Sequence, residues 1–149
     1  IHRVETAEEM YAATHAHIEG VDLFIGAAAV ADYRPVSAAE QKIKKNDESM
    51  QIDMLRSKDI LASVAALEPP PFTVGFAAET ENLREYALGK LEKKRLNMII
   101  ANRVGRECGF DYDDNTVCVY TVDEHKSFPL TDKKALAREL IEVIATEMA

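Results

Sequence analysis

Cysteine occurs only twice in this chain, at Cys108 and Cys118. The spacing between them forms no CxxC pair, so they support neither a zinc ribbon nor a disulfide scaffold, and the expectation is two free thiols. No run of about 18 apolar residues is present, which excludes a membrane-spanning helix and a membrane as partner. Positive charge is scarce: 18 Lys and Arg stand against 26 Asp and Glu, a formal net charge of −8. A duplex binder must neutralise many phosphates, so nucleic acid is excluded as a partner. The glycines form neither GxGxxG nor a Walker A loop, so no standard phosphate cradle exists. His2, His15, His17 and His125 lack metal-ligand spacing, and no metal site is expected. The chain opens on Ile1, with no basic segment and apolar run behind it. That points to a removed N-terminal part and to the absence of a secretory leader.

What is present is ordinary for a globular protein: 149 residues, 47 % apolar and 30 % charged. No linker or low-complexity stretch divides them, so residues 1–149 read as a single domain. Thr6-Ala7-Glu8-Glu9 reads as a capping box opening a helix over 7–17. Residues 23–25, 72–75 and 98–101 are short apolar runs with the character of buried parallel strands. Residues 32–40 read as a loop. Residues 42–45 and 50–55 read as a polar hairpin turning at 46–48, and 116–120 with 127–130 as another. Ser57 is placed to cap a helix over 58–67 that ends at Pro69-Pro70-Pro71. Further helices are expected over 81–94 and 133–148. Residues 103–115 read as a polar loop. Strands alternating with helices predict an α/β fold, Rossmann-like, with a mainly parallel sheet flanked by helices and added β-hairpins.

Two strands end alike. Phe24-Ile25-Gly26-Ala27-Ala28-Ala29 parallels Thr73-Val74-Gly75-Phe76-Ala77-Ala78, and an acid follows each, Asp32 and Glu79. Small residues at a strand end admit a ligand or let a helix pack closely, and spacing does not choose between these uses. Lys42 and Lys44 share one face of an extended segment, which reads first as a protected edge strand and second as an arm closing over phosphates. Lys90 and Lys94, four apart on one helix face, read first as cations at a helix C-terminus and second as phosphate ligands.

The run Asp22-Leu23-Phe24-Ile25-Gly26-Ala27-Ala28-Ala29-Val30-Ala31-Asp32-Tyr33-Arg34-Pro35 resembles the signature of the phosphopantothenate–cysteine ligase family. So do Lys42-Ile43-Lys44-Lys45, Val74-Gly75-Phe76-Ala77-Ala78-Glu79-Thr80 and Ile100-Ala101-Asn102, in the family's order and spacing. The resemblance covers essentially the whole chain. It implies a cytoplasmic enzyme of coenzyme A biosynthesis in which 4′-phosphopantothenate is activated by CTP as an acyl-cytidylate and then joined to cysteine. Magnesium would accompany the triphosphate. FMN would belong only to a flavin-dependent decarboxylase half of the same polypeptide, and the protein would pair as a homodimer.

Carried over by matching positions, the resemblance implies that Gly26, Ala27 and Ala28 line the nucleotide site through their backbone. Asp32 and Phe76 would contact the nucleotide, as would Lys90 and Lys94. Lys42 would be catalytic, on an arm that reaches the reacting phosphates. The stretch Lys58-Asp59-Ile60-Leu61 would contribute further nucleotide contacts, although the family usually has proline where this chain has Lys58. The family's ligase domain begins with a glycine-containing βαβ segment that has no counterpart in these residues. Two other readings fit less well. A non-catalytic nucleotide-binding or interaction module related to the ligase is opposed by the retained Asp32, Lys42, Lys90 and Lys94. A generic dinucleotide-binding oxidoreductase lacks its glycine fingerprint.

Overall fold

Local hydrophobic period and helix caps divide the described residues into eleven elements. A computed structural model describes residues 1–37, 39, 41–44, 48–104 and 113–149. In chain order the elements are α1 (Ala7–His17), β1 (Leu23–Gly26), β2 (Tyr33–Pro35), β3 (Met54–Arg56), α2 (Ile60–Ala65), β4 (Phe72–Glu79), α3 (Leu83–Lys94), β5 (Met98–Arg103), β6 (Asp114–Tyr120), β7 (His125–Asp132) and α4 (Lys133–Glu147). The residues form two units, Ile1–Glu19 with Ala29–Ile60, and Gly20–Ala28 with Leu61–Ala149.

In the first unit α1 starts as its capping box requires. The Thr6 hydroxyl accepts from Glu9 N at 3.1 Å, and the Glu9 carboxylate accepts from Thr6 N at 3.2 Å. Both bonds satisfy amides that the first helical turn leaves without carbonyl partners. The two strands of this unit correct the sequence reading. Residues 33–35, expected in a loop, form β2, which pairs antiparallel with β3 from Tyr33↔Arg56 to Pro35↔Met54. Lys42, Ile43 and Lys44 are in no strand, so they are not the partner of 50–55; Lys45, Asn46 and Asp47 lie outside the described residues. The ladder is prolonged by Val36 N to Asp53 O and Ser57 N to Asp32 O. The strand expected over 50–55 begins only at Met54 and runs to Arg56, and alternation does not specify which distant segment pairs with it.

The second unit is a five-stranded sheet in the order β1-β4-β5-β6-β7. β1, β4 and β5 pair in parallel, β6 runs against β5, and β7 runs against β6. Four of the five strands therefore point one way, and the sheet is mainly parallel as expected. The second hairpin extends this same sheet. Val74, Met98, Ile100, Val117, Val119 and Phe128 pack on one face against Leu136, Leu140 and Ile144 of α4. On the other face Ala77, Ile99, Ala101 and Tyr120 meet Ala65 of α2 and Ala87 and Leu91 of α3. Strand residues alternate between these faces, so β4 and β5, covered on both, read as continuous apolar runs.

Three further expectations are adjusted. β4 continues four residues past Gly75, because parallel pairing with β5 carries through Glu79↔Arg103. α2 is six residues long; Ser57 does not cap it, and its hydroxyl is buried without a hydrogen-bond partner. The loop expected over 103–115 is shorter, since Arg103 ends β5 and Asp114 starts β6; residues 105–112, with Cys108, lie outside the described residues. Cys118 is a free thiol.

Candidate functional site

Ligands of parallel α/β sheets bind beyond the C-terminal strand ends. In the second unit that edge is formed by the ends of β1, β4 and β5, and five of the residues expected from the sequence fall at or just past it or on α3 beside it: Gly26, Ala27, Ala28, Phe76 and Lys90; Lys94, the last residue of α3, lies toward the start of β5. Gly26 and Gly75 are register neighbours across β1 and β4. Both lie beneath Leu61 of α2. A Cβ on Gly26 would stand 3.1 Å from Leu61 Cδ1, and one on Gly75 would stand 2.7 Å from Leu61 Cδ2 and 2.9 Å from Leu96 Cδ1. Of the two uses left open for these small residues, helix-on-sheet packing accounts for the glycine side-chain positions. The Leu61 side chain, partly buried, thus packs over both glycines against the core. Ala27 and Ala28 follow the strand end and are exposed.

By alternation from Val74, Phe76 and Ala78 lie on the face that α4 covers further along the sheet. There that cover has ended: Phe76 is 39 % exposed. An exposed aromatic ring beside exposed alanines is a surface on which a planar base can stack. Asn102, the register neighbour of Ala78, is buried at the end of β5.

Glu79 ends β4 on the opposite face, where α3 packs. Lys90 Nζ donates to Glu79 Oε1 at 2.6 Å. The sequence marked Glu79 only as an acid after a run of small residues. Nothing local announced its pairing with Lys90, because eleven residues and a strand-to-helix turn separate them. Lys94, one turn on, is half-buried.

Asp32, Lys42, Lys58, Asp59 and Ile60 belong to the first unit. Asp32 has an exposed side chain, and its carbonyl accepts from Ser57 N at 2.8 Å. Lys42 is exposed and lies in neither helix nor strand. Ile60, the first residue of α2, is buried. Lys58 is turned to α1: its Nζ lies 2.6 Å from Glu8 Oε1 and 4.5 Å above the centre of the Tyr11 ring. The hydrogen bond to Glu8 raises the Lys58 pKa, with desolvation opposing it, and the same bond lowers that of Glu8. Both groups are exposed, so the pair adds little stability. It does account locally for a lysine at a position where the ligase pattern usually has proline. Among the described residues no group of three or more His, Cys, Asp or Glu side chains is placed to hold a metal ion. Nor is any described helix long and apolar enough to cross a membrane.

Comparisons with known proteins bear on the family and the fold. Residues 1–148 match the family model described as DNA/pantothenate metabolism flavoprotein C-terminal domain. The chain is 49 % identical over 97 % of its length to the coenzyme A biosynthesis bifunctional protein CoaBC of Vibrio vulnificus strain YJ016, and 43 % identical over 96 % to that of Escherichia coli K12. It spans 37 % and 36 % of those relatives, little more than a third. A crystal structure of the C-terminal domain of a bifunctional CoaBC protein superposes with a TM-score of 0.75 at 38 % identity, covering 97 % of this chain and 63 % of that one. A DNA/pantothenate metabolism flavoprotein from Streptococcus pneumoniae shares the fold at a TM-score of 0.80 and 19 % identity, covering 98 % of this chain and 72 % of that one. The sheet, its strand-end residues and these matches together place the chain in the DNA/pantothenate metabolism flavoprotein C-terminal domain family.

Proposed function

We propose that this chain forms the nucleotide-holding part of a ligase of coenzyme A biosynthesis that joins 4′-phosphopantothenate to cysteine. The carboxylate of 4′-phosphopantothenate attacks the α-phosphate of CTP; pyrophosphate leaves and an acyl-cytidylate forms. The amine of cysteine then attacks the activated carbonyl, and CMP leaves. Such chemistry asks for alignment of the reactants and for cations beside developing negative charge. The observation that carries this reading is the end of β4, where an exposed Phe76 and the ammonium of Lys90 stand at the edge that binds ligands in such sheets.

In this reading Phe76 stacks on the base, and Gly26, Ala27 and Ala28 offer backbone groups. Lys90 and Lys94 hold phosphate oxygens. Asp32 and the stretch Lys58, Asp59, Ile60 and Leu61 add nucleotide contacts, and Lys42 is the catalytic cation. Magnesium enters with the triphosphate as part of the substrate, and FMN belongs to the decarboxylase domain of the full-length protein. The enzyme works in the cytoplasm. Calorimetric titration of the full-length protein with CTP and then ATP, each with magnesium, is expected to show CTP binding at least about tenfold tighter, a difference of about 1.4 kcal/mol. Equal affinity would remove the cytidylate chemistry. Binding without ligation would mark a non-catalytic module.

The protein is also proposed to act as a homodimer. On one face of the two-stranded sheet of the first unit Leu55 is 45 % exposed, and Val36, just past β2 on the same side, is exposed too. Neighbouring apolar residues exposed in this way mark interaction surfaces. Leu55→Glu would bury an unpaired charge if that surface pairs, and is expected to weaken self-association at least about tenfold in sedimentation. An unchanged dimer would place the interface elsewhere.

A further inference from the structure

β4 ends on Glu79, whose side chain is only 16 % exposed. A carboxylate withdrawn that far from water is costly unless a cation and hydrogen bonds answer it. Lys90 answers it, donating from Nζ at 2.6 Å while its own side chain stays 44 % exposed. The root of Glu79 is rigid, since its carbonyl accepts from Val104 N at 3.0 Å at the end of the parallel pairing with β5. An ammonium has three N–H donors. Glu79 engages one of them, and the exposure of the Lys90 side chain leaves room for a ligand to meet the others. A lysine without such an anchor would lose rotamer freedom on meeting a ligand; this one is already ordered.

We infer that Glu79 is a positioning residue, holding the Lys90 ammonium at the C-terminal end of β4 where it takes an anionic oxygen of the nucleotide's phosphates. The inference rests on the ligase reading above and adds to it a residue that the sequence comparison did not assign. Glu79 acts through geometry, since its charge taken alone would repel a phosphate.

The test is steady-state kinetics and calorimetry with CTP and magnesium on the full-length protein. Glu79→Ala is expected to raise the KM for CTP about tenfold while kcat changes less than about twofold. Glu79→Gln keeps an acceptor oxygen at the same reach and should return KM to within about threefold of the parent. Glu79→Asp keeps the charge but shortens the reach by one methylene, and should raise KM at least about threefold; it carries the test if the alanine variant does not fold. The double variant Glu79→Ala with Lys90→Ala should bind CTP no more weakly than Lys90→Ala alone, because one effect passes through the other. Additive losses would overturn the inference, as would an unchanged or lowered KM in Glu79→Ala or Glu79→Asp while Lys90→Ala raises it. Absence of CTP binding by the parent protein would instead remove the ligase reading, and the inference with it.

Discussion

Lys42→Gln in the full-length protein is expected to lower ligation turnover by about 10²–10³-fold, the range seen when one preorganised group that stabilises developing charge is removed. The same change should leave folding stability within about 0.5 kcal/mol, because Lys42 is exposed and lies outside the helices and strands. Glutamine preserves a polar side chain of similar girth and removes the positive charge. A loss carried by kcat, with the KM for CTP little changed, would locate the interaction in the transition state. Turnover at the parental rate would strip Lys42 of the role. A fall in unfolding midpoint matching the loss of activity would make it a structural residue instead.

Gly75→Val is expected to destabilise the protein by about 3 kcal/mol, read as a lower midpoint in urea at unchanged slope. Even a single Cβ at this position would stand 2.7 Å from Leu61 Cδ2 and 2.9 Å from Leu96 Cδ1. Leu96 is buried, so its side chain has little room to give way, and Leu61, partly buried, also lies over Gly26. Valine adds two methyl groups to that crowding. Gly89→Ala makes an instructive control. Gly89 lies inside α3 with nothing within 4 Å of the added Cβ, so alanine there is expected to stabilise by about 0.5–1 kcal/mol. If Gly75→Val were tolerated, the close approach of Leu61 to the sheet would not be what requires glycine, and its backbone freedom or a ligand would have to explain it.

The elements that were legible in advance are those specified by neighbours in the chain. Thr6 and Glu9 announced α1 because a capping box is closed within four residues. Residues 72–75 and 98–101 announced buried strands because both faces of β4 and β5 are covered, leaving no polar alternation. Leu136, Leu140 and Ile144 stand at helical spacing and form the buried face of α4. The runs around Gly26, Lys42, Gly75 and Asn102 likewise point to the family from the sequence alone. What stayed hidden was every feature formed between distant segments. The pairing of 33–35 with 54–56 depends on strand edges meeting across about twenty residues, which local alternation does not encode. So does the end of β4, prolonged by a neighbour rather than by its own composition.

By itself the sequence determined the main helices, the strands of the five-stranded sheet, the mainly parallel α/β class and the family, since periodicity, caps and ordered motifs are properties of the chain as written. Only the tertiary structure decided that Gly26 and Gly75 make room for Leu61, that Lys58 is held by α1, and that Glu79 holds Lys90. A close approach, a cation above a ring and a partly buried ion pair each need groups that are remote in sequence, and only folding sets the distances between them.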